Sequence, residues 1–429
     1  MLARHGYHDT IVSMKSSNPL VVIQAYRLLV LAMEREGMDY PLHLGVTEAG
    51  DGADGRIKSA IGIGALLCDG LGDTVRVSLT EPSANEIPAA RELVAAVREV
   101  ERGPSWPEAE FRTPVDIARR RTRRLRLAGS DIGGDVRVAF LARNAGGLRL
   151  PGDAELFDGE LVPSSPGGGT AEDRTGGGDA PATHARTLGP GQTRLWALAE
   201  LSGKVPDGPC AVGIGTGDVG GAALADLLRR AGAGHPGFLF VVEGASPLMP
   251  VRYLANLLDQ AGLDWPLAVL LPDASPARPP LAAAAQIGSL AADGLLDALV
   301  APGADPLSPA TELCKTLLQA ARLRTYKTEY ISCPSCGRTL FDLQETTERI
   351  KARTSHLKGV KIAVMGCVVN GPGEMADADF GYVGGAPGKV NLYKGKTCVE
   401  RGVPTEKAVE RLVHLIRAHG AWVDPVDSA

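Results

Sequence analysis

The sequence predicts an α/β protein built from more than one domain, on three observations. Short β-type runs alternate with helical stretches from the N-terminus onward. A tract rich in Gly and Pro then breaks the rhythm, which resumes beyond it. The last hundred residues change to short β segments closed by a helix. Strands alternating with helices of this length indicate parallel βα units. At 429 residues the chain also exceeds one ordinary domain.

Composition narrows the class. The hydrophobic fraction is 44% and the charged fraction 22%, which suits a packed globular core. A formal net charge of −5 gives no basic excess to pair phosphates, and 4% aromatic residues provide few stacking platforms, so a nucleic-acid protein is disfavoured. Seven cysteines, an odd and sparse set, do not form a secreted disulfide framework. The opening MLARHGYHDT has no apolar core of a signal peptide, and no apolar run approaches the ~20 residues of a membrane span. A cytoplasmic, reducing compartment and no membrane association are expected.

The elements follow in order. Thr10–Met14, Pro41–Thr47 and Thr74–Leu79 read as strands; Pro19–Glu36, Asp54–Leu71 and Asn85–Arg102 read as helices. Functional residues of βα units sit at the C-terminal ends of strands. That places Lys15-Ser16-Ser17, Thr47-Glu48-Ala49-Gly50 and Arg76-Val77-Ser78 near one rim. Two cations, hydroxyls and a carboxylate suit a diphosphate pocket with an acid beside it. The alternative, that Lys15 and Arg76 are surface charges and Glu48 caps a helix, stays open. Three βα units fall short of the eight strands of a closed barrel. Met1 therefore reads as a start in mid-fold, with a smaller open sheet as the competing explanation.

Further on, Ile117–Leu127 carries six arginines and reads as a solvated basic helix face, with docking of an acidic redox partner as the sharper alternative. Val136–Leu141 reads as a strand. Val162–Gly189 is Gly-, Pro- and Ser-rich and reads as a disordered linker. Cys210–Ile214, Phe238–Glu243, Leu267–Leu271 and Ala298–Val300 then read as strands of a second α/β segment, ending in a helix at Pro309–Arg324. Gly215-Thr216-Gly217-Asp218-Val219-Gly220 matches G-x-G-x-x-G after a strand, but its acidic partner, Glu243, stands too far away for a dinucleotide fingerprint. A tight βα turn is the preferred reading. In the last hundred residues Thr328–Ser332, Val360–Met365, Phe380–Val383, Lys389–Tyr393 and Lys396–Arg401 read as strands, with helices at Leu340–His356 and Thr405–His419. The order β-α-β-β-β-α suits a small α+β domain.

The chemistry concentrates there. Cys333, Cys336, Cys367 and Glu374 form the pattern C-x2-C-x30-C-x6-E. Two cysteines at this separation, with a third arriving from the next strand end, can meet at one metal centre. Zinc also takes C-x2-C but normally closes with a fourth Cys or His. Cys398 in a hairpin and His356 at a helix end are poorly spaced for that, whereas the turn Asn370-Gly371-Pro372-Gly373 brings Glu374 back to the thiols. Thiolates ligate iron–sulfur clusters. A carboxylate is a harder, more labile ligand and leaves a position open for a substrate oxygen. The quartet is therefore read as a catalytic iron–sulfur site, with zinc open as the alternative. Cys68, Cys210 and Cys314 lie in apolar patterns and read as core residues.

The stretches Tyr330–Asp342 (YISCPSCGRTLFD) and Met365–Glu374 (MGCVVNGPGE) resemble the 4-hydroxy-3-methylbut-2-enyl diphosphate synthase family of the methylerythritol phosphate route to isoprenoids. Met375–Gly385 is similar to its larger, plant-type branch; His43–Gly50 and Lys58–Gly62 add to the match, which is dense over 10–80 and 325–424. The resemblance implies reductive ring opening of 2-C-methyl-D-erythritol 2,4-cyclodiphosphate by two electrons entering through a [4Fe-4S] cluster. It implies Cys333, Cys336, Cys367 and Glu374 as cluster ligands, Lys15, Arg76 and Ser78 as diphosphate contacts, Glu48 as acid/base and Asn370 as a substrate contact. It implies a partial TIM (β/α) barrel over 1–102, an inserted α/β domain resembling a partial barrel over 103–325 and a cluster domain over 326–424. Ferredoxin or flavodoxin would supply electrons, and the chain would act as monomer or homodimer. The family's barrel begins upstream of Met1, so an N-terminally truncated form is expected. An inactive fragment, a non-catalytic zinc module and an NAD-dependent dehydrogenase remain as other readings.

Overall fold

The structure, a computed structural model, describes residues 2–101, 120–127, 130–143, 159–163, 192–202, 205–232, 234–271, 280–303, 305, 307–369, 371–375 and 377–425. The chain forms two compact units: 1–103 with 279–292 and 315–429, and 104–278 with 293–314.

The first unit opens with the expected βα rhythm. Helix α1 (Pro19–Arg35) starts where the Asn18 side chain accepts a hydrogen bond from the Leu20 N–H, 3.1 Å, with Pro19 in the first turn. It buries Val22, Ile23 and Tyr26 on one face. Strands β1 (His43–Gly45) and β2 (Thr74–Arg76) pair in parallel, His43 opposite Thr74. The strand expected at Thr10–Met14 is reduced to one parallel bridge from Val12 to Leu42. Between β1 and β2, α2 (Gly52–Ser59) continues through a π-helical turn, Ala60–Gly64, into α3 (Ala65–Cys68). The turn is small on its inner side for a reason. A Cβ on Gly64 would lie 2.7 Å from Ala285, and one on Gly288 would lie 2.8 Å from Ile61. The helix Pro280–Ala292 thus packs almost backbone to backbone on Ala60–Gly64. Helix α4 (Glu86–Glu101) completes this region.

The second unit begins with a hairpin, β3 (Leu125–Leu127) and β4 (Ser130–Ile132), antiparallel. Seven strands follow: β5 (Ala139–Arg143), β6 (Gly159–Pro163), β7 (Gln192–Ala197), β8 (Cys210–Gly215), β9 (Phe238–Glu243), β10 (Leu267–Leu270) and β11 (Ala298–Ala301). All neighbours are parallel, and β11 returns to β5, so the ring closes. Leu141, Leu195, Ala211, Leu239, Ala268 and Val300 pack into one apolar cluster with Leu125, Leu127 and Ile132 of the hairpin. Near-continuous apolar strands, such as Phe238-Leu239-Phe240-Val241-Val242, are what a parallel sheet covered on both faces requires. Helices α5 (Ala222–Ala231), α6 (Leu248–Gln260) and α7 (Pro280–Ala292) follow β8, β9 and β10; α7 belongs to the first unit.

Three sequence readings change here. The arginine stretch is no helix where it is described: 120–124 have no regular structure and 125–127 form β3. Arg120 instead binds Asp259 and the carbonyls of Leu263 and Trp265 at 2.8–2.9 Å, and Arg123 pairs with Asp264 at 3.0 Å. Val162 and Pro163, assigned to the linker, belong to β6; the rest of 162–189 lies outside the described residues. Cys68 is half-buried rather than a core residue, whereas Cys210 and Cys314 are buried. The loop Gly215–Gly220 is the tight βα turn expected: the Asp218 N–H bonds the Gly215 carbonyl and the Thr216 N–H the Glu243 carbonyl. The Asp218 carboxylate lies against Gly215, 2.9 Å from where its Cβ would be, so the turn carries a negative charge of its own.

The first unit resumes within α8 (Pro309–Ala320) and carries a five-stranded sheet. Strands β12 (Glu329–Ser332), β13 (Lys361–Met365) and β14 (Phe380–Ala386) are parallel neighbours; β15 (Lys389–Lys394) and β16 (Thr397–Pro404) extend the sheet antiparallel. Helix α9 (Leu343–Thr354), capped by Asp342, and α11 (Thr405–Ala418) cover one face through Leu343, Ile350, Leu412 and Ile416. A short turn of helix, α10 (Gly371–Glu374), lies between β13 and β14.

Candidate active site

The site forms where the βα rim meets the end of β12. Ala49, in the loop after β1, makes a parallel bridge to Ser332. The Thr80 hydroxyl bonds the Ser332 carbonyl at 3.1 Å and the Ser332 hydroxyl at 2.7 Å, both contacts buried. Cys333 is the next residue, so these contacts aim the first thiol at the rim.

The thiol loops are braced locally. The Gly366 N–H points at Cys333 Sγ, 3.3 Å away, and the Gly366 carbonyl accepts from Leu340 N–H at 3.1 Å. The Thr339 hydroxyl accepts from Cys336 N–H at 3.0 Å, and the Thr339 N–H donates to the Cys336 carbonyl. Position 384 has to be glycine, because a Cβ there would strike the Gly366 carbonyl. Burial pushes the Cys333 thiol up to about 11, with the carboxylates of Glu48 and Glu374 adding to the effect. Cys336 is exposed, and its thiol is pulled down, first by a hydrogen bond from the Arg338 backbone. Cys367 is half-buried, one residue beyond Gly366 at the end of β13.

Glu48 is the centre of the rim. It is 4% exposed and adopts φ +50°, a left-handed conformation uncommon outside glycine. Burial raises its carboxyl to about 8, and the neighbouring Glu374 carboxylate adds to the rise against the Thr47 hydroxyl and the Arg76 guanidinium. Its Oε2 is buried without a hydrogen-bond partner. The structure thus gathers Glu48, Glu374, Cys333, Cys336 and Arg76 into one electrostatic neighbourhood. Lys15 is exposed; its segment is tied to the site by the Thr47 N–H bonding the Ser16 carbonyl at 3.1 Å. Ser78 is buried. Asn370 lies outside the described residues.

Among the described residues no three His, Cys, Asp or Glu side chains close on a point as one metal ion requires. A cluster is several atoms across and spaces its ligands more widely. The donor set suits such a group: three thiols, one of them receiving a backbone N–H, and a carboxylate beside an unpartnered buried oxygen. Sequence reasoning missed Thr80 and Ser332. Thr80 was within reach, since 76, 78 and 80 alternate onto one side of an extended segment.

Fold and site together define a βα-barrel segment whose strand ends face a thiol-bearing α+β domain. The family descriptions "GcpE TIM-barrel domain" and "GcpE protein C-terminal domain" match residues 1–91 and 329–418. The 4-hydroxy-3-methylbut-2-en-1-yl diphosphate synthase (flavodoxin) of Phocaeicola vulgatus is 41% identical over 440 residues, covering 99% of this chain and 69% of the relative. The corresponding Chlorobaculum tepidum protein is 41% identical over 98% of the chain and 65% of its own length. The ferredoxin-dependent chloroplastic form of Oryza sativa is 41% identical over 98% of the chain and 62% of its own length. The chain belongs to the 4-hydroxy-3-methylbut-2-en-1-yl diphosphate synthase family, and it spans about two thirds of the length of these relatives. No described helix is long and apolar enough to cross a membrane.

Proposed function

We propose that this chain carries the reductive site that converts 2-C-methyl-D-erythritol 2,4-cyclodiphosphate into (E)-4-hydroxy-3-methylbut-2-enyl diphosphate. The change takes up two electrons and two protons and releases one water. Cys333, Cys336, Cys367 and Glu374 would hold a [4Fe-4S] cluster, which supplies electrons received from reduced flavodoxin or ferredoxin, the donors named for the relatives.

The observation that carries the reading is Glu48, a buried carboxyl raised to about 8 and set beside Glu374 and Cys333. A carboxyl that keeps its proton near neutrality can deliver it from Oε2 to a departing oxygen. Arg76 stands beside it to hold a diphosphate, and Lys15 and Ser78 would complete that contact. The contacts of Ala49 and Thr80 to Ser332 keep acid and thiols in register, so binding and proton delivery share one wall.

Anaerobic turnover tests the reading. The cluster-loaded chain, given the cyclic diphosphate and reduced flavodoxin or ferredoxin, is expected to form the open diphosphate, and Glu48→Gln to lose most of that rate. A loaded chain that forms no product overturns it.

A further inference from the structure

Three charged side chains line up along α2 and its N-cap: Asp51, Asp54 and Lys58. Each meets an opposite charge from the C-terminal part of the same unit. Asp51 pairs with Lys351, Asp54 with Lys327 at 2.7 Å, and Lys58 with Glu329 at 3.5 Å. The first two pairs are partly exposed, while Lys58 and Glu329 are buried. Arg322, itself at φ +54°, reaches Glu329 from another side at 3.6 Å. All six paired groups border one cleft.

Glu329 opens β12 and Ser332 closes it. The strand is therefore held at one end by Lys58 and at the other by Thr80 and Ala49, with Cys333 the next residue. A slip of one residue would turn Cys333 to the opposite face of the sheet. Neither Lys58 nor Thr80 takes part in the diphosphate binding or proton transfer proposed for the site.

We propose that Lys58 and Thr80 are positioning residues that lock β12 in register and so hold the Cys333 thiol at the rim formed by the loops that carry Ala49 and Thr80. The proposal deepens the functional reading and rests on it for the meaning of Cys333. Its test uses neither turnover nor a loaded cluster, so the two can fail separately.

The metal-free full chain is treated with limiting iodoacetamide and digested with trypsin. Peptide 328–338 carries both Cys333 and Cys336, so exposed Cys336 serves as the internal reference. Cys333 is expected to react more slowly in the parent. Thr80→Val and Lys58→Met are each expected to raise the Cys333/Cys336 ratio roughly tenfold, as removal of one buried hydrogen bond would. Thr80→Ser and Lys58→Arg should restore it. Arg27→Met, which removes the Arg27–Asp69 pair (2.7 Å) away from β12, should lower the melting temperature without moving the ratio. An unchanged ratio in folded Thr80→Val overturns the proposal, as does an equal rise in Arg27→Met. Should Lys58→Met not fold, Thr80→Val decides alone.

Discussion

Glu48→Gln in the metal-free chain tests the electrostatics of the site without requiring catalysis. Burial and the Glu374 carboxylate raise the Glu48 carboxyl from 4.5 to about 8. A raised carboxyl binds its proton more tightly in the folded state. Its favourable contribution is full below the unfolded value and is lost as pH rises through the folded one. The whole rise corresponds to about 5 kcal/mol. Between pH 5.5 and pH 8 the parent should lose about 3 kcal/mol from this one group. Gln carries no charge and escapes that loss. Urea unfolding of both proteins across this range, under anaerobic reducing conditions, should show the variant gaining on the parent by about 3 kcal/mol. Parallel pH profiles would refute the claim that Glu48 is held protonated by the fold.

Other variants probe the frame around it. Glu374→Cys should retain a cluster, since thiolate is the commoner ligand, yet lose most turnover; unchanged turnover would remove the role of the carboxylate. Gly384→Ala should bind far less iron on reconstitution, because its Cβ strikes the Gly366 carbonyl that braces the thiol loops, and full iron content would contradict that. Gly288→Val should lower stability by about 1–3 kcal/mol in urea titration through collision with Ile61. NADH should show no saturable binding to the chain, because Asp218 lies against the Gly215 turn; saturation would reopen the dinucleotide reading.

The elements that read cleanly from sequence are those where local and global preferences agree. The strand Phe238–Glu243 was fully legible, since five apolar residues in succession suit a parallel strand buried on both faces. Helix α1 announced itself through Asn18, Pro19 and an apolar face. The arginine stretch misled because its helical spacing is coincidental. Arg120 and Arg123 bind carbonyls and carboxylates of residues far along the chain, such as Trp265, Asp259 and Asp264, and no local pattern reports such partners. Closure of the seven-strand ring was equally hidden: β6 and β7 are short runs of mixed polarity, and β5, legible as a strand, closes the ring on β11 far along the chain. At the site, Cys333, Glu374 and Glu48 were legible as residue types at diagnostic spacing. What no local pattern reports is how rim and thiols are tied together, by Thr80 reaching Ser332 across 252 residues of sequence and Ala49 bridging the same residue.

The most direct test of the central claim is the metal content of the chain after anaerobic reconstitution with iron and sulfide. The account predicts four iron and four sulfide per chain, lost in Cys333→Ser, Cys336→Ser and Cys367→Ser. A colourless protein that retains a single zinc through the same treatment would contradict it.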